Sequence, residues 1–412
     1  MSYRKDFPLP NYRDNELWFN MHNADDPAQL PAIAATGAKG IRTDISFKWL
    51  RERAEQGLDP YLWYDRLIDK CDELGLRVIF IVSYIDPVTM MTDEMNAKLS
   101  QLQISNWWNA SYNTRLAPIG LAQDVWMAKA KEIASRYQKR GVIWDIWNEP
   151  NWTGNFITLD TPLGGEAVNR PGSEVKCQQY VDFIQRASET IRSVHKYEWI
   201  AINTANADLQ WWTAICDRGI LEHIDMALPH TYTASFFNEL PNRWDGHAQM
   251  ACGGLAGITE IISNFKTKSI AIGVGEWGFP ASGSIPPTIY TQKDYHKAMK
   301  FAGDKTQIRM TVVYNWGNSH LKYEVPGDPL YWQEVWGTTP VVIKPPVTDP
   351  VPPPVEVTPP VLDSDPAPTG TTDPAPGGPT GPSGGTASIP AGHQPIIIEP
   401  NPDIKPNPDI SG

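Results

Sequence analysis

The sequence is poor in cysteine, has no long apolar run and carries no excess of positive charge. Its 412 residues include four cysteines, none in a CxxC pair or at a ligand spacing from histidine: Cys71, Cys177, Cys216 and Cys252. This pattern favours free structural thiols, argues against a metal centre, and implies no cofactor. No apolar segment approaches the roughly 20 residues of a membrane-spanning helix, so we expect no membrane partner.

The charge balance excludes a second class of partner. Asp and Glu number 47 against 35 Lys and Arg, which gives a formal net charge of -12. An acidic chain without a basic stripe is not expected to bind a nucleic-acid backbone. The first eight residues carry positive charge but no apolar stretch follows, so no signal peptide is predicted. We expect a cytoplasmic, virion-associated or surface-associated protein, and the oligomeric state stays open.

The last part of the chain lacks aromatic residues. Residues 340–412 contain 21 of the 38 prolines and no Phe, Trp, Tyr or Arg. Eight acids and two lysines give this segment a net charge of -6, which is half of the total. Such a composition cannot bury enough apolar area to offset chain entropy. We therefore predict a folded domain over residues 1–338 and a disordered Pro-, Gly- and Asp-rich tail or linker over residues 339–412.

Strand and helix patterns alternate along the folded part. Apolar runs predict strands at residues 16–23, 39–46, 77–84, 142–149, 199–206, 224–232, 269–276 and 309–316. Helical spacing predicts helices at 27–36, 63–74, 121–140, 173–195, 209–219, 248–265 and 292–302, with a weak helix at 328–336. This order fits an α/β fold, a (β/α)8 TIM barrel with long loops at 85–120 and 151–171. A doubly wound open sheet is disfavoured because Gly-rich dinucleotide motifs are absent.

Two of the predicted strands end in a glutamate. Glu149 follows an apolar run and is stopped by Pro150, and Glu276 follows a second apolar run. A single acid in such a place is more often a turn cap. A pair is what glycosidic cleavage requires, because one acid protonates the leaving oxygen while the other attacks or stabilises the sugar cation. Two acids at strand ends therefore favour a catalytic site over two turn caps.

The segments around these acids resemble a known group of enzymes. The chain from about residue 15 to 336 is similar to the large clan of retaining glycoside hydrolases built on (β/α)8 barrels. The branch that it most resembles contains β-xylosidases and bacterial exopolysaccharide endoglycosidases. The resemblance is carried by Asn-Glu-Pro-Asn at residues 148–151, GAKGIR at 37–42, YDRLID at 64–69 and GLRV at 75–78.

The resemblance implies a role for each acid. Glu149 would be the general acid and base, and Glu276 would be the nucleophile. Arg42, at the end of the second strand, would lie beside Glu276 and keep it ionised, since a neighbouring cation favours the charged form. Taken alone, Arg42 is more simply interpreted as a structural ion-pair partner.

The resemblance also implies contacts to the sugar. Asn148 would hold the 2-hydroxyl, Tyr232 of the His230-x-Tyr232 pair would hydrogen-bond Glu276, and Trp316 would form the floor of the subsite where the bond is cut. Taken alone, His230 is more simply interpreted as a satisfied core histidine. Relatives commonly carry a histidine near the end of strand three, where this chain has Tyr-Ile-Asp at 84–86.

Tryptophans near the acids are candidates for sugar stacking. Trp152 and Trp277 each lie close to one acid in sequence, and we predict that both contact substrate. Hydrophobic packing beneath long loops is the alternative for Trp152 and the other loop tryptophans. Those other candidates are Trp107, Trp108, Trp211 and Trp212.

These observations favour a retaining glycosidase whose partner is a polysaccharide or oligosaccharide. Residues 1–338 would form its catalytic domain. Two alternatives stay open: a carbohydrate-binding barrel without turnover, and a polysaccharide depolymerase attached to a virion or surface through its tail. The sugar, the linkage and the choice between internal and terminal cleavage are not predicted.

Overall fold

The computed structural model describes residues 2–11, 14–21, 27–101, 115–152, 155–159, 173–231, 244–265, 269–278, 292–306, 308–314, 316 and 325–338. By their contacts, the residues of the chain form two units, Met1–Pro346 and Val347–Gly412. The predicted tail at 339–412 lies outside the described residues, so its disorder and the domain boundary stay predictions.

Nine parallel strands form one sheet in this part of the chain. They are β1 (Glu16–Asn20), β2 (Gly40–Ile45), β3 (Arg77–Val82), β4 (Ile143–Ile146), β5 (Trp199–Thr204), β6 (Met226–Pro229), β7 (Ala271–Ile272), β8 (Val274–Gly278) and β9 (Met310–Tyr314). Their order in the sheet is β7, β6, β5, β4, β3, β2, β1, β9, β8. Each strand from β1 to β6 therefore lies beside the next one in the chain, as a barrel requires.

The barrel is nearly closed by a strand in two halves. β7 pairs with β6, and β8 pairs with β9. Gly273 separates the halves, and a Cβ there would lie 2.6 Å from Met310 Cγ, so a side chain would not fit. A single bridge between His230 and Glu276 joins the two edges. The predicted (β/α)8 barrel is confirmed, with the predicted strand at 269–276 split in two.

Helices surround the strands. They are Ser2–Asp6, Leu30–Ala35, Phe47–Glu55, Leu62–Leu74, Pro87–Met90, Asp93–Gln101, Leu121–Tyr137, Ser173–Val194, Leu209–Cys216, Trp244–Phe265, Gln292–Thr306 and Pro329–Trp336, with single 3-10 turns at Pro27–Gln29 and Ile220–Glu222. All eight predicted helices are present, and the described part of the first long loop contains two short ones. None of the helices that the structure describes is both long and apolar enough to cross a membrane.

Four described helices were not predicted from the sequence patterns: Ser2–Asp6, Pro87–Met90, Asp93–Gln101 and the helix that follows β2. Phe47–Glu55 buries only Phe47 and Leu50, so its apolar stripe is too short to stand out. Its start is nevertheless marked by Ser46, whose hydroxyl accepts the backbone N–H of Trp49. The cap was therefore a usable signal for this helix that the sequence analysis did not use.

Alternation along each strand divides the core into two layers. Outward residues such as Phe19, Phe80 and Trp144 pack in the apolar layer that also includes the surrounding helices. A separate cluster of inward residues fills the barrel: Trp18, Ile79, Ile143, Trp199, Ala201, Met226, Leu228, Ala271, Met310 and Val312. Two residues further along several strands the inward position becomes polar and stays buried, as at Asn20, Asp145, Asn203 and His230.

The opposite end of the barrel is covered by the N-terminal segment. Phe7 packs where a Cβ on Gly141 would lie, 2.3 Å from Phe7 Cδ1, and Gly141 has a φ of +72°. The Trp199 indole donates to Phe7 O at 2.8 Å, and Arg77 donates to Pro8 O. These contacts reach the starts of β3, β4 and β5, so the site described next lies at the other end.

Candidate active site

Arg42 is the centre of the polar layer at the carboxyl ends of the strands. Its guanidinium is fully buried and donates from Nη1 to Glu276 Oε1 at 2.6 Å and from Nε to Asp145 Oδ2 at 2.9 Å. Nη2 donates to Asn148 Oδ1 at 2.9 Å. Burial by itself lowers the pKa of Arg42, but the two carboxylates outweigh it and hold that pKa above its ordinary value. Arg42 therefore stays a cation and orients three side chains.

The two glutamates face each other beside His230. His230 Nδ1 lies 2.7 Å from Glu149 Oε1 and 3.7 Å from Glu276 Oε2. One ligand atom of each of these three residues lies within 4.8 Å of the other two. His230 is fully buried, and Glu149 and Glu276 are 8% and 6% exposed. The carboxylates are therefore close enough to act on one bond.

The chain leaves β4 through a turn that uses the left-handed region at two non-glycine residues. Trp147 has a φ of 65° and Glu149 a φ of 49°. The Asn203 side chain, fully buried on β5, accepts the Glu149 N–H at 2.6 Å and donates to Trp147 O at 2.6 Å. It also donates to Asp145 Oδ1 at 2.8 Å. The sequence analysis missed Asn203, although a polar residue two positions after inward Ala201 was a usable signal.

A second asparagine joins the same two strand ends in the opposite direction. Asn151, in the loop after β4, donates to Ala205 O at 2.8 Å and to Asp208 Oδ2 at 3.2 Å. Its Oδ1 accepts the Ala205 N–H at 2.7 Å. This side chain makes no bond to Glu149, so it secures the loop rather than the carboxylate.

A buried lysine lies beneath that loop. Lys176, on the helix Ser173–Val194, donates to Asn155 O at 2.9 Å and to Trp152 O at 3.5 Å. Asn155 in turn donates to Asn148 O at 3.3 Å. Burial lowers the pKa of Lys176 to about 8, because the charged amine has lost its water.

The predicted tryptophans occupy three different environments. Trp152 is 48% exposed, on the loop after Glu149. Trp316 is 5% exposed, donates its backbone N–H to Asn20 O at 2.9 Å, and packs edge-on against Phe19. Trp277 is 2% exposed and belongs to the outer apolar layer, which favours packing, and its predicted contact with substrate stays a prediction.

Other predicted residues lie in the core or outside the described part of the chain. Trp211 and Trp212 are buried in the outer apolar layer, which favours the packing interpretation. Tyr232, Trp107 and Trp108 lie outside the described residues, so their contacts stay predictions.

Two tyrosines that the sequence analysis gave no role also lie near the acids. Burial raises the pKa of Tyr84, at the end of β3, with smaller effects from Arg115, Asp44 and a hydrogen bond to Asn148. Burial also raises the pKa of Tyr314, at the end of β9, and the charge of Glu276 adds to it. Both phenols therefore stay protonated at neutral pH and offer hydroxyl groups near the acids.

Among the described residues, one group has a spacing that would suit a metal ion: Glu149, His230 and Glu276. The Arg42 cation already lies 2.6 Å from Glu276, and Glu149 is already bonded to His230. A second positive charge here would be repelled by Arg42. The donor set fits an acid pair better than a metal centre, and the expectation of no metal or cofactor stays a prediction.

A parallel barrel with two facing carboxylates at its strand ends is the arrangement of a glycoside hydrolase. The sequence matches the family described as Cellulase (glycosyl hydrolase family 5) over residues 2–320. The chain therefore belongs to glycosyl hydrolase family 5. No curated protein sequence matches it.

Solved glycosidase structures are similar to this chain in fold. A GH39 β-xylosidase from Caulobacter crescentus has a TM-score of 0.52 at 14% identity, over 80% of this chain and 71% of that one. A family 5 mannosidase from Rhizomucor miehei has a TM-score of 0.52 at 10% identity, over 80% and 94%. A β-galactosidase from Marinomonas ef1 has a TM-score of 0.52 at 12% identity, over 78% and 59%. At these identities the likeness shows the fold alone.

Family membership confirms the broader predictions. The chain is a glycosidase, its substrate is a carbohydrate, and polysaccharide degradation fits the family. The more specific resemblance to the xylosidase and exopolysaccharide branch is not confirmed by the family match.

Proposed function

We propose that this protein is a retaining glycoside hydrolase that cleaves a polysaccharide or oligosaccharide by double displacement. The observation that carries the proposal is the approach of Glu149 and Glu276 to within 4.8 Å. Retaining enzymes hold their carboxyl groups about 5 Å apart, whereas inverting enzymes leave about 6.5 to 9.5 Å for a water molecule. The short spacing favours direct attack by one carboxylate.

In the first step Glu276 acts as the nucleophile. Arg42 Nη1 donates to Glu276 Oε1, which favours the charged carboxylate that attacks the anomeric carbon. Glu149 gives its proton to the leaving oxygen as the glycosidic bond breaks. His230 and Glu149 Oε1 share one hydrogen, so Glu149 Oε2 is the oxygen placed to carry the acid proton.

In the second step a water molecule releases the sugar. Glu149, now a carboxylate, takes a proton from water while the water oxygen attacks the anomeric carbon and displaces Glu276. The proton taken from water restores the Glu149 acid, the hydroxyl ends on the sugar, and Glu276 is released as a carboxylate. Two inversions give net retention.

The surroundings of the acids supply the binding groups. The Asn148 amide oxygen accepts from Arg42, and its NH₂ group, which also meets the Tyr84 hydroxyl, has a second hydrogen for the sugar 2-hydroxyl. Trp152 offers an exposed indole face beside Glu149 on which a pyranose can stack. We include His230, Tyr232 and Trp316 as further contacts, as the resemblance implies.

We propose that the substrate is of the kind used by the branch that contains β-xylosidases and exopolysaccharide endoglycosidases. The basis is Asn-Glu-Pro-Asn at 148–151. Residues 1–338 form the catalytic domain in this proposal. Residues 339–412 form an extended tail whose composition suits a spacer.

The test is reducing-end release from xylan, mannan, carboxymethyl cellulose and bacterial exopolysaccharides. On the polymer that is cut, we expect Glu276→Gln to lose on the order of 10⁴-fold or more in kcat, as expected when the attacking group is removed. Glu149→Gln should lose about 10² to 10⁴-fold, the range for general acid–base catalysis. Proton NMR of the first product should show the anomeric configuration of the substrate.

The matched control is Glu73→Gln, which removes an exposed acid paired with Lys70 and should keep full activity. A first product of inverted configuration would overturn the retaining mechanism. Binding of one polymer with equal affinity by all variants, without cleavage by any, would replace catalysis with carbohydrate binding.

A further inference from the structure

The Glu149 carboxylate is presented by a backbone conformation that its own sequence does not favour. Trp147 and Glu149 both have positive φ, in a region that is unfavourable for residues other than glycine. Such a conformation persists only where surrounding contacts hold it in place. The contacts that hold this turn therefore decide where the carboxylate points.

Asn203 makes the contacts that hold the turn. It accepts the Glu149 N–H at 2.6 Å and donates to Trp147 O at 2.6 Å, so its amide spans both residues of positive φ. Its third bond, to Asp145 Oδ1 at 2.8 Å, anchors it to β4. All these groups are buried, so water cannot replace a lost bond without entering the core.

The same side chain is linked to the second acid. Asp145 Oδ2 accepts from Arg42 Nε at 2.9 Å, and Arg42 Nη1 donates to Glu276 at 2.6 Å. A continuous buried chain of hydrogen bonds thus runs from the Glu149 backbone through Asn203, Asp145 and Arg42 to the Glu276 carboxylate. One frame holds both carboxyl groups.

We infer that Asn203 is a positioning residue for the acid and base: it holds the turn from Trp147 to Glu149 so that the Glu149 carboxyl reaches the leaving oxygen opposite Glu276. The inference rests on the proposed function, because it assigns Asn203 a purpose in proton transfer. It goes beyond that proposal because Asn203 touches neither the sugar nor the reacting atoms.

The test uses the leaving group. Asn203→Ala and Asn203→Ser are compared with wild type on phenyl and 2,4-dinitrophenyl β-glycosides of the sugar released from the polymer that wild type cuts. A phenolate needs a proton to leave, whereas 2,4-dinitrophenolate does not. We expect kcat/KM to fall about 10- to 100-fold on the phenyl glycoside and less than about 3-fold on the dinitrophenyl glycoside. For the latter, kcat should fall because Glu149 must still activate water.

Asn151→Ala is the matched control. It also removes three hydrogen bonds between the ends of β4 and β5, but none to Glu149. It should lower kcat/KM by the same factor on both glycosides, whatever its effect on stability. A merely structural role of Asn203 would give that same pattern.

Equal losses on the two glycosides, or no loss, in the folded Asn203 variants would overturn the inference. Asn203→Ser retains a hydroxyl beside the Glu149 N–H, so it provides a folded variant if the alanine variant unfolds. Glu149→Gln is measured in parallel. If Glu149→Gln shows no dependence on the leaving group, the proposed function of Glu149 fails first and the role of Asn203 falls with it.

Discussion

Buried acids have different surroundings at the two ends of the barrel. At the end covered by Phe7, Glu198 is fully buried and is bonded to four groups: the Tyr3 hydroxyl, the Lys139 N–H, the Trp144 indole and His195. At the carboxyl ends of the strands, Glu149 and Glu276 approach each other beside one histidine.

Some buried polar groups without a hydrogen-bond partner lie near the paired acids. Among the described residues, the buried polar atoms that have no hydrogen-bond partner include His230 Nε2, Trp147 Nε1 and both side-chain polar atoms of Asn20. No atom of Glu198 or Tyr3 is in that set. An acid whose hydrogen bonds are all made within the protein stabilises a fold, whereas closely paired acids are more typical of a functional site.

The largest effect on this comparison is expected from removing Arg42, the cation at the carboxyl ends of the strands, which we call the open end of the barrel. Arg42→Met leaves Asp145 and Glu276 buried without their partner, which costs about 3 to 5 kcal/mol of stability. We also expect kcat to fall more than about 100-fold, since attack requires an oriented carboxylate. Urea unfolding and initial rates check both effects.

Its control is Arg136→Met, which removes an exposed arginine paired with Asp65. Exposed pairs contribute about 0 to 1 kcal/mol, and activity should not change. Equal stability losses in the two variants would show that the buried frame has no special energetic role.

A second prediction sharpens the comparison through pH. Burial lowers the pKa of Lys176 from 10.5 to about 8. Between these values the unfolded chain binds a proton that the native state does not, so the free energy of unfolding rises with pH. Relative to Lys176→Met, wild type should therefore gain up to about 3 kcal/mol between pH 7 and pH 10.5. Denaturant titrations at both pH values measure the difference, and a constant difference would contradict a buried lysine.

The third prediction applies one substitution to both ends. Glu198→Gln puts an amide donor among groups that donate, and we expect a loss of about 1 to 3 kcal/mol with kcat/KM unchanged within about two-fold. Glu149→Gln should do the reverse, with a large loss of rate and a small change in melting temperature. A loss of rate in Glu198→Gln would show that the end of the barrel covered by Phe7 also contributes to catalysis.

The smallest expected effect is at the surface of the open end. Trp152→Ala removes a side chain that is 48% exposed, so stability should change by less than about 0.5 kcal/mol. Loss of a stacking face should raise KM about 3- to 10-fold with little change in kcat. Phe265→Ala, at the end of the helix Trp244–Phe265 and 38% exposed, is the aromatic control and should leave KM unchanged.

Much of the fold could be predicted because local patterns and tertiary packing agree. Strands β3 and β5 are nearly continuous apolar runs, since both of their faces are covered. The positions of Glu149 and Glu276 followed from apolar runs that end at the rim. The break between β7 and β8 could not be predicted, because the need for Gly273 comes from Met310, far away in sequence.

The support of the site was harder to predict than its acids. Asn203 and Asp145 are 58 residues apart, and only the closed barrel brings their side chains to 2.8 Å. Positive φ at Trp147 and Glu149 has no local signal either, because neither residue favours that region. Sequence patterns locate the reactive groups, and the three-dimensional structure shows what orients them.

The Glu149 N–H gives this site a spectroscopic handle. Its acceptor is the Asn203 side chain rather than a backbone carbonyl of the neighbouring strand, and the bond is short at 2.6 Å. A short amide hydrogen bond moves its proton resonance downfield, and its exchange with deuterium should be slow only while the side chain stays in place. One amide resonance of the resting protein can therefore report whether the acid is correctly held, before any sugar is added.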